Sequence, residues 1–189
     1  MGLVYFRRYR MRLDLTTALP DVVPLPPGLT WRAFDSSTVA THAQVKYEAF
    51  AGSLDSYVFA CLAHREGCVR LMREIVSRRE FVAGATWLIV QQDSASAVGT
   101  IQGLRMEDAS GRAWGSIQNV GVVPSHRRRR LGAALLSRSA EGFRRLGLSQ
   151  MKLEVTTDND EAVSLYERLG FEIERVVYKA ADLPGMTSL

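Results

Sequence analysis

The sequence predicts an α/β domain built on a mixed central sheet. Three observations carry this. Residues 86–123 hold three short apolar strands parted by polar turns, which is the pattern of an antiparallel meander. From Leu131 onward, helical and extended periodicities alternate, as they do when a helix crosses back over a sheet. The chain has 189 residues, of which 47% are hydrophobic and 23% charged, enough to enclose one core and too apolar for wholesale disorder.

Taken in order, residues 5–15 alternate apolar and charged side chains. Tyr9, Met11, Leu13 and Leu15 alternate with Arg8, Arg10, Arg12 and Asp14. This period of two predicts an edge strand with a solvated, charged outer face. Pro20, Pro24, Pro26 and Pro27 follow in residues 19–28 and bar regular structure there. Residues 1–28 are therefore read as an N-terminal strand and Pro-rich connector packing on a single domain of residues 29–189. Within that domain a short strand is expected over 29–34. A helix is expected over 38–50, capped by Ser36 or Ser37. A longer helical stretch over 58–79 is expected to break at Gly67. Strands follow over 86–91, 97–106 and 114–123, the last stopped by Pro124.

The second half is more regular. Leu131, Leu135, Leu136, Ala140 and Phe143 form one stripe of a helix over 131–146, and Gly147 is placed to close it. A strand over 151–156, a short helix over 160–169 ending at Gly170, and a strand over 172–178 complete the chain.

Several classes are excluded on composition. Apolar stretches stop well short of the roughly 18 residues needed to span a bilayer. The start of the chain lacks the apolar run of a secretory signal, so a cytoplasmic, membrane-free protein is expected. Cys61 and Cys68 are the only cysteines. On a helix their Cα atoms would lie about 10 Å apart, too far for a disulfide. With His64 they match no common zinc spacing, so no metal is expected. The net charge is +4, and 21 of the 24 basic residues are arginine. The runs Arg7–Arg12 and Arg127–Arg130 raise nucleic-acid binding as a rival function, which would show as steep salt dependence.

The place of the second run decides against that rival. Arg127, Arg128, Arg129 and Arg130 fill the turn between a strand and the helix that opens with Leu131, Gly132 and Ala133. The first N–H groups of a helix lack intrahelical partners, and with the helix dipole they make an anion site suited to phosphate. Gly132 keeps a side chain out of that approach. Farther on, Asn159 is placed to cap the helix starting at Asp160. Tyr166 lies seven residues later, close to the same face. By spacing alone this pair reads first as a capping Asn and a packed interface Tyr.

Together, in this order, the two segments resemble the GNAT superfamily of acyl-CoA-dependent N-acyltransferases. The resemblance covers residues 121–171. The family's loop has the form Arg/Gln-x-x-Gly-x-Gly/Ala after a strand ending in Val-x-Pro. Arg127 takes its leading position and Gly132 its last, while Arg130 stands where the middle glycine would be. Arg130 must therefore adopt a backbone conformation that glycine tolerates more easily. The segment Asn159-x-x-Ala162-x-x-Leu165-Tyr166-x-x-x-Gly170-Phe171 matches without departure.

The resemblance implies a GNAT fold with splayed central strands and an acetyl transfer from acetyl-CoA to a primary amine, with no metal. It places the pyrophosphate on N–H groups of residues 129–133 and the pantetheine arm beside Val122 and Val123. It gives the Val122 N–H, or a near neighbour's, the oxyanion of the tetrahedral intermediate. It makes Tyr166 the acid that protonates the departing thiolate, with Asn159 orienting that tyrosine or the pantetheine. The acceptor is a small-molecule or peptide amine, selected by the region 51–57, and a homodimer is left open as the assembly. No general base stands out: Glu107, Asp108 and Glu154 are candidates that better suit a solvated surface, and His126 belongs to the phosphate turn. A non-catalytic acyl-CoA sensor of the same fold is the alternative.

Overall fold

The computed structural model describes residues 2–17 and 23–183. Pro20 and its neighbours 18–22 lie outside the described residues. Seven strands, β1 (Gly2–Asp14), β2 (Leu29–Ala33), β3 (Trp87–Gln91), β4 (Ala97–Glu107), β5 (Ala113–Val122), β6 (Gln150–Thr156) and β7 (Glu172–Leu183), form one sheet in the order β2-β3-β4-β5-β6-β1-β7. Neighbours run antiparallel except β5 and β6, which are parallel, so the sheet is mixed as expected.

The edge-strand expectation for β1 is corrected. The strand lies inside the sheet, paired with β6 on one side and β7 on the other. Its alternation is real: Met11 and Leu13 are buried in the main core. The charged face is not uniformly solvated, because Arg8 is only 5% exposed and Arg10 is bonded to Glu154 across the strand pair. Strand periodicity reports which residues share a face, and it does not report whether a neighbouring strand lies on either side.

Helices α1 (Val39–Phe50), α2 (Leu54–Val58) and α3 (Arg65–Ser77) lie between β2 and β3 in sequence, and α1 packs on β4 and β5. A short 3-10 turn precedes α1, and Asp35 caps that turn by accepting from the Ser37 N–H at 2.8 Å. The cap expected at Ser36 or Ser37 thus falls on the preceding carboxylate. The stretch expected over 58–79 begins at the last residue of α2 and divides into a 3-10 turn over Ala60–Ala63 and α3. The chain turns extended at His64, not at Gly67. Gly67 sits inside α3, where any Cβ would collide with the Cys61 carbonyl, so its role is close approach.

On the other face, helix α4 (Leu131–Arg145) buries the predicted stripe, with Leu135, Ala140 and Phe143 at 0% exposure. A Cβ on Gly103 would stand 2.7 Å from the Phe143 ring, so bare backbone on β4 admits that ring against the sheet. Gly147, at φ +73°, follows the end of α4 as expected. Helix α5 (Asp160–Arg168) then leads into β7, which runs five residues beyond the predicted end at 178. No helix among the described residues is long and apolar enough to cross a membrane.

Candidate active site

The site begins where β5 and β6 part. Their parallel pairing is confined to Gly115 with Met151 and Ser116 with Lys152. Immediately beyond, β5 carries a β-bulge: Gln102 faces Asn119 and Gly103 faces Ile117, leaving Gln118 as the extra residue. A bulge bends its strand and reverses which side chains face which way. The reversal is visible in the glycines of β5. Gly115 faces Phe143 of α4, whereas Gly121 faces Ala49 and Phe50 of α1. The bend opens a cleft of about 240 Å³, bordered by β5 and β6 and by residues of α2, α3 and α5.

Several predicted residues meet there. Tyr166 projects from α5 into the cleft and is 7% exposed, with its ring 5.7 Å from that of Phe171. Burial raises the phenol well above its ordinary value. The nearby Asp55 carboxylate pushes the same way and the Arg8 guanidinium opposes it. The hydroxyl therefore stays protonated at neutral pH and is a proton donor. Asn159 also borders the cleft. Its Oδ1 accepts from the Ala162 N–H at 3.2 Å, so it caps α5 as the spacing suggested.

Val123 donates its N–H to Val98 on β4 at 3.0 Å. Successive N–H groups of a strand point to opposite sides, so the N–H of Val122 is turned toward the gap beside β6.

Beyond Val123 the chain makes a short turn over Pro124–His126 and reaches α4. The first intrahelical bond runs from the Ala134 N–H to the Arg130 carbonyl, which leaves the N–H groups of Leu131, Gly132 and Ala133 without intrahelical partners. Arg130 has φ +60° and ψ 13°, the left-handed conformation foreseen for the position that lacks glycine, and Arg128 has φ +62°. The arginines are not equivalent. All four are exposed, but Arg127 turns back to the protein, donating to the Ala49 carbonyl at 2.8 Å and the Val122 carbonyl at 3.3 Å, whereas Arg128, Arg129 and Arg130 have no such bond among the described residues. Arg127 thereby ties the loop to the end of α1. A Cβ on Gly132 would come within 3.1 Å of Leu165 on α5, so this glycine also sets the spacing between the two helices.

The candidate bases separate. Glu107 pairs with Arg105, and Asp108 bonds Ser110 and Arg112 in a surface turn. Glu154 alone borders the cleft, where Arg10 holds it at 2.6 Å. Cys61 and Cys68 are free thiols, and Cys68 Sγ lies 3.5 Å from the Cys61 carbonyl oxygen.

The profile of the acetyltransferase (GNAT) family matches residues 55–171, well over half of the chain. The chain belongs to the GNAT family. Among curated relatives, a mycothiol acetyltransferase of Streptomyces scabiei is 31% identical over 186 residues, covering 90% of this chain and 52% of that protein. The [ribosomal protein bS18]-alanine N-acetyltransferase of Escherichia coli is 37% identical over 67 residues, 34% of this chain and 45% of that one. A GCN5-related N-acetyltransferase structure from Sphaerobacter thermophilus superposes with a TM-score of 0.66 at 25% identity, covering 95% of this chain and 52% of that one. The chain spans about half the length of the mycothiol acetyltransferase and the Sphaerobacter thermophilus protein it matches.

Four residues at or behind the cleft did not stand out in the sequence. Arg8 and Asp55 border the cleft, as does Asn119 of β5, and Lys46 of α1 stands behind Asn119. Arg8 belonged to a charged stripe that looked solvated, and Asp55 lay in the region assigned to acceptor choice without standing out. Nothing local marks a helical lysine as buried. Only a triplet of apolar neighbours, Ala43, Val45 and Ala49, hints at the inward face of α1.

Proposed function

We propose that this GNAT chain transfers an acetyl group from acetyl-CoA to the nitrogen of a primary amine. One observation carries the reading. The cleft opened by the parting of β5 and β6 contains a protonated, buried tyrosine, and unpartnered helix N–H groups follow at the end of the same strand. Those N–H groups, on Leu131, Gly132 and Ala133, suit the pyrophosphate, with the exposed side chains of Arg128 to Arg130 adding charge.

Acetyl-CoA supplies the acetyl group as a thioester. The Val122 N–H, on the gap side of β5, is placed to hold the oxygen on which charge develops when the amine attacks the carbonyl carbon. As the carbon–sulfur bond breaks, the Tyr166 hydroxyl gives its proton to the sulfur. The attacking nitrogen must also lose a proton. Glu154 and Asp55 are the carboxylates bordering the cleft, and either can accept it directly or through water. Val123 packs in the core beside this stretch and braces it. Arg127 fixes the loop, and Asn159 fixes the start of the helix that presents Tyr166.

The acceptor is a small-molecule or peptide amine. With its two thiols reduced, the protein suits a reducing compartment such as the cytoplasm. The test is thermal unfolding with CoA and acetyl-CoA. A ligand that binds only the folded chain raises the midpoint, so millimolar CoA should shift it upward by several degrees. No shift with either CoA or acetyl-CoA overturns the reading.

A further inference from the structure

Lys46 is one of only three lysines and is wholly enclosed, at 0% exposure. An ammonium group has three N–H donors and no acceptor. Its one hydrogen bond to a described side chain runs 2.8 Å to the Oδ1 of Asn119. The Asn119 amide is set with its oxygen toward Lys46 and its NH2 away from it. Asn119 is half-buried and borders the cleft. Its Nδ2 bonds to no described side chain, yet it is not sealed in as His42 Nε2 and Gln102 Oε1 are. The bulge at Gln118 puts this amide on the α1 side of β5, next to Val120. A pair of donors is thus presented to the cleft and left for a ligand.

We propose that Lys46 is a positioning residue which, through Asn119, turns two N–H donors into the cleft to bind a carbonyl or hydroxyl oxygen close to the acceptor's amine. The acceptor is then an amino amide or amino alcohol and not a plain alkylamine. This rests on the acetyl-transfer function proposed above.

Stability does not account for Lys46. Burial pulls its amine from 10.5 down to about 7 and outweighs the opposing effect of Cys68 and Cys61, which face it from α3 and the turn before it. His42, one turn earlier on α1, adds no countercharge, being held neutral by burial and by Lys46 itself. Arg32 and Asp35 act on His42 and not on Lys46. An apolar side chain at 46 would fill this space without enclosing a charge.

The experiment measures thiol release from acetyl-CoA with glycinamide, ethanolamine and propylamine as acceptors. The native chain should favour the first two over propylamine by about tenfold or more in kcat/KM, the worth of one or two neutral hydrogen bonds. In Asn119→Asp a carboxylate replaces the amide, which keeps a partner for Lys46 and removes both donors. The preference should collapse toward one, with glycinamide KM raised and acetyl-CoA affinity kept. A purely structural pair would be rescued by this substitution. Lys46→Met should keep or raise the unfolding midpoint while weakening the preference, and Lys46→Gln, which still donates to Asn119 Oδ1, should restore part of it. Equal rates with all three amines, or no release with any while acetyl-CoA still binds, overturns the proposal. So does an Asn119→Asp variant that keeps the preference or loses acetyl-CoA affinity instead. Failure of the native chain to bind acetyl-CoA overturns the function beneath it.

Discussion

Arg8 Nη1 lies 3.6 Å from Asp55 Oδ1, which links the N-terminal strand to the short helix α2 across the mouth of the cleft. The same guanidinium donates to Thr156 Oγ1 at 2.9 Å and to the Glu154 carbonyl at 3.0 Å, and it stacks 4.8 Å from the Phe59 ring centre. One arginine thus joins β1, β6, α2 and the turn that follows α2. Its position depends on β1 lying inside the sheet, because register places Arg8 opposite Thr156.

Replacing Arg8 therefore removes a counter-charge from a largely enclosed cluster. Breaking a buried pair from one side typically costs about 3–5 kcal/mol, and the partial exposure of Asp55 brings the expectation to about 2 kcal/mol. Arg8→Met should lower the unfolding midpoint in urea accordingly. Arg8→Met,Asp55→Leu should recover much of the loss while leaving activity impaired. An Arg8→Met variant as stable as the native chain would show that the cluster holds nothing together.

The loop before α4 carries left-handed backbone at Arg128 and Arg130. A non-glycine residue there costs about 1 kcal/mol relative to glycine. Arg130→Gly should raise stability by up to that amount, and the exposed guanidinium it removes should weaken CoA binding only a few-fold. Gly132→Val should act much more strongly. It obstructs the approach to the helix N–H groups and presses on Leu165, so both CoA affinity and turnover should fall at least tenfold, read by calorimetry and thiol release.

His42 sets part of the acid sensitivity. It is fully buried, bonds Thr100 Oγ1 through Nδ1 at 2.8 Å, and has its pKa lowered from 6.5 to about 3, first by burial and then by Lys46 and Arg32. Between those values the unfolded chain takes up a proton that the folded chain refuses. The stability contribution is therefore fully present above pH 6.5 and drains away as pH falls toward 3. Asp14, Asp35, Glu80 and Asp108, whose hydrogen bonds lower their pKa values, pull the same way. His42→Gln should flatten the loss of urea midpoint between pH 6.5 and 4.5. An unchanged slope would place the acid sensitivity in the carboxylates alone.

Tyr166→Phe keeps the ring's packing against Phe171 and removes the hydroxyl. Fold and CoA affinity should survive, while turnover falls about 100-fold, the low end for a lost general acid because a thiolate leaves readily. Equal turnover in the two proteins would reduce Tyr166 to a packing residue.

What the sequence disclosed follows from how local each signal is. The α4 stripe from Leu131 to Phe143, the cap at Asn159 and the strained conformation of Arg130 all depend on near neighbours, and each was legible. The place of Arg8 was not. Its alternation with Tyr9 and Met11 is the same for an edge strand and an inner one, and only the pairing of β1 with both β6 and β7 separates them. The bulge at Gln118 left no local mark either. It exists because β5 must stay paired with β4 while leaving β6, and that requirement arises from three strands at once. The amide of Asn119 and the lysine behind it became visible only with that bend.

The most direct measurement is thiol release from acetyl-CoA with and without amine, paired with mass spectrometry of the amine product. Acetyl transfer requires release that depends on the amine, matched mole for mole by an acetylated product. Acetyl-CoA that binds tightly but yields no acetylated product with any primary amine would contradict acetyl transfer and leave a sensor of the same fold.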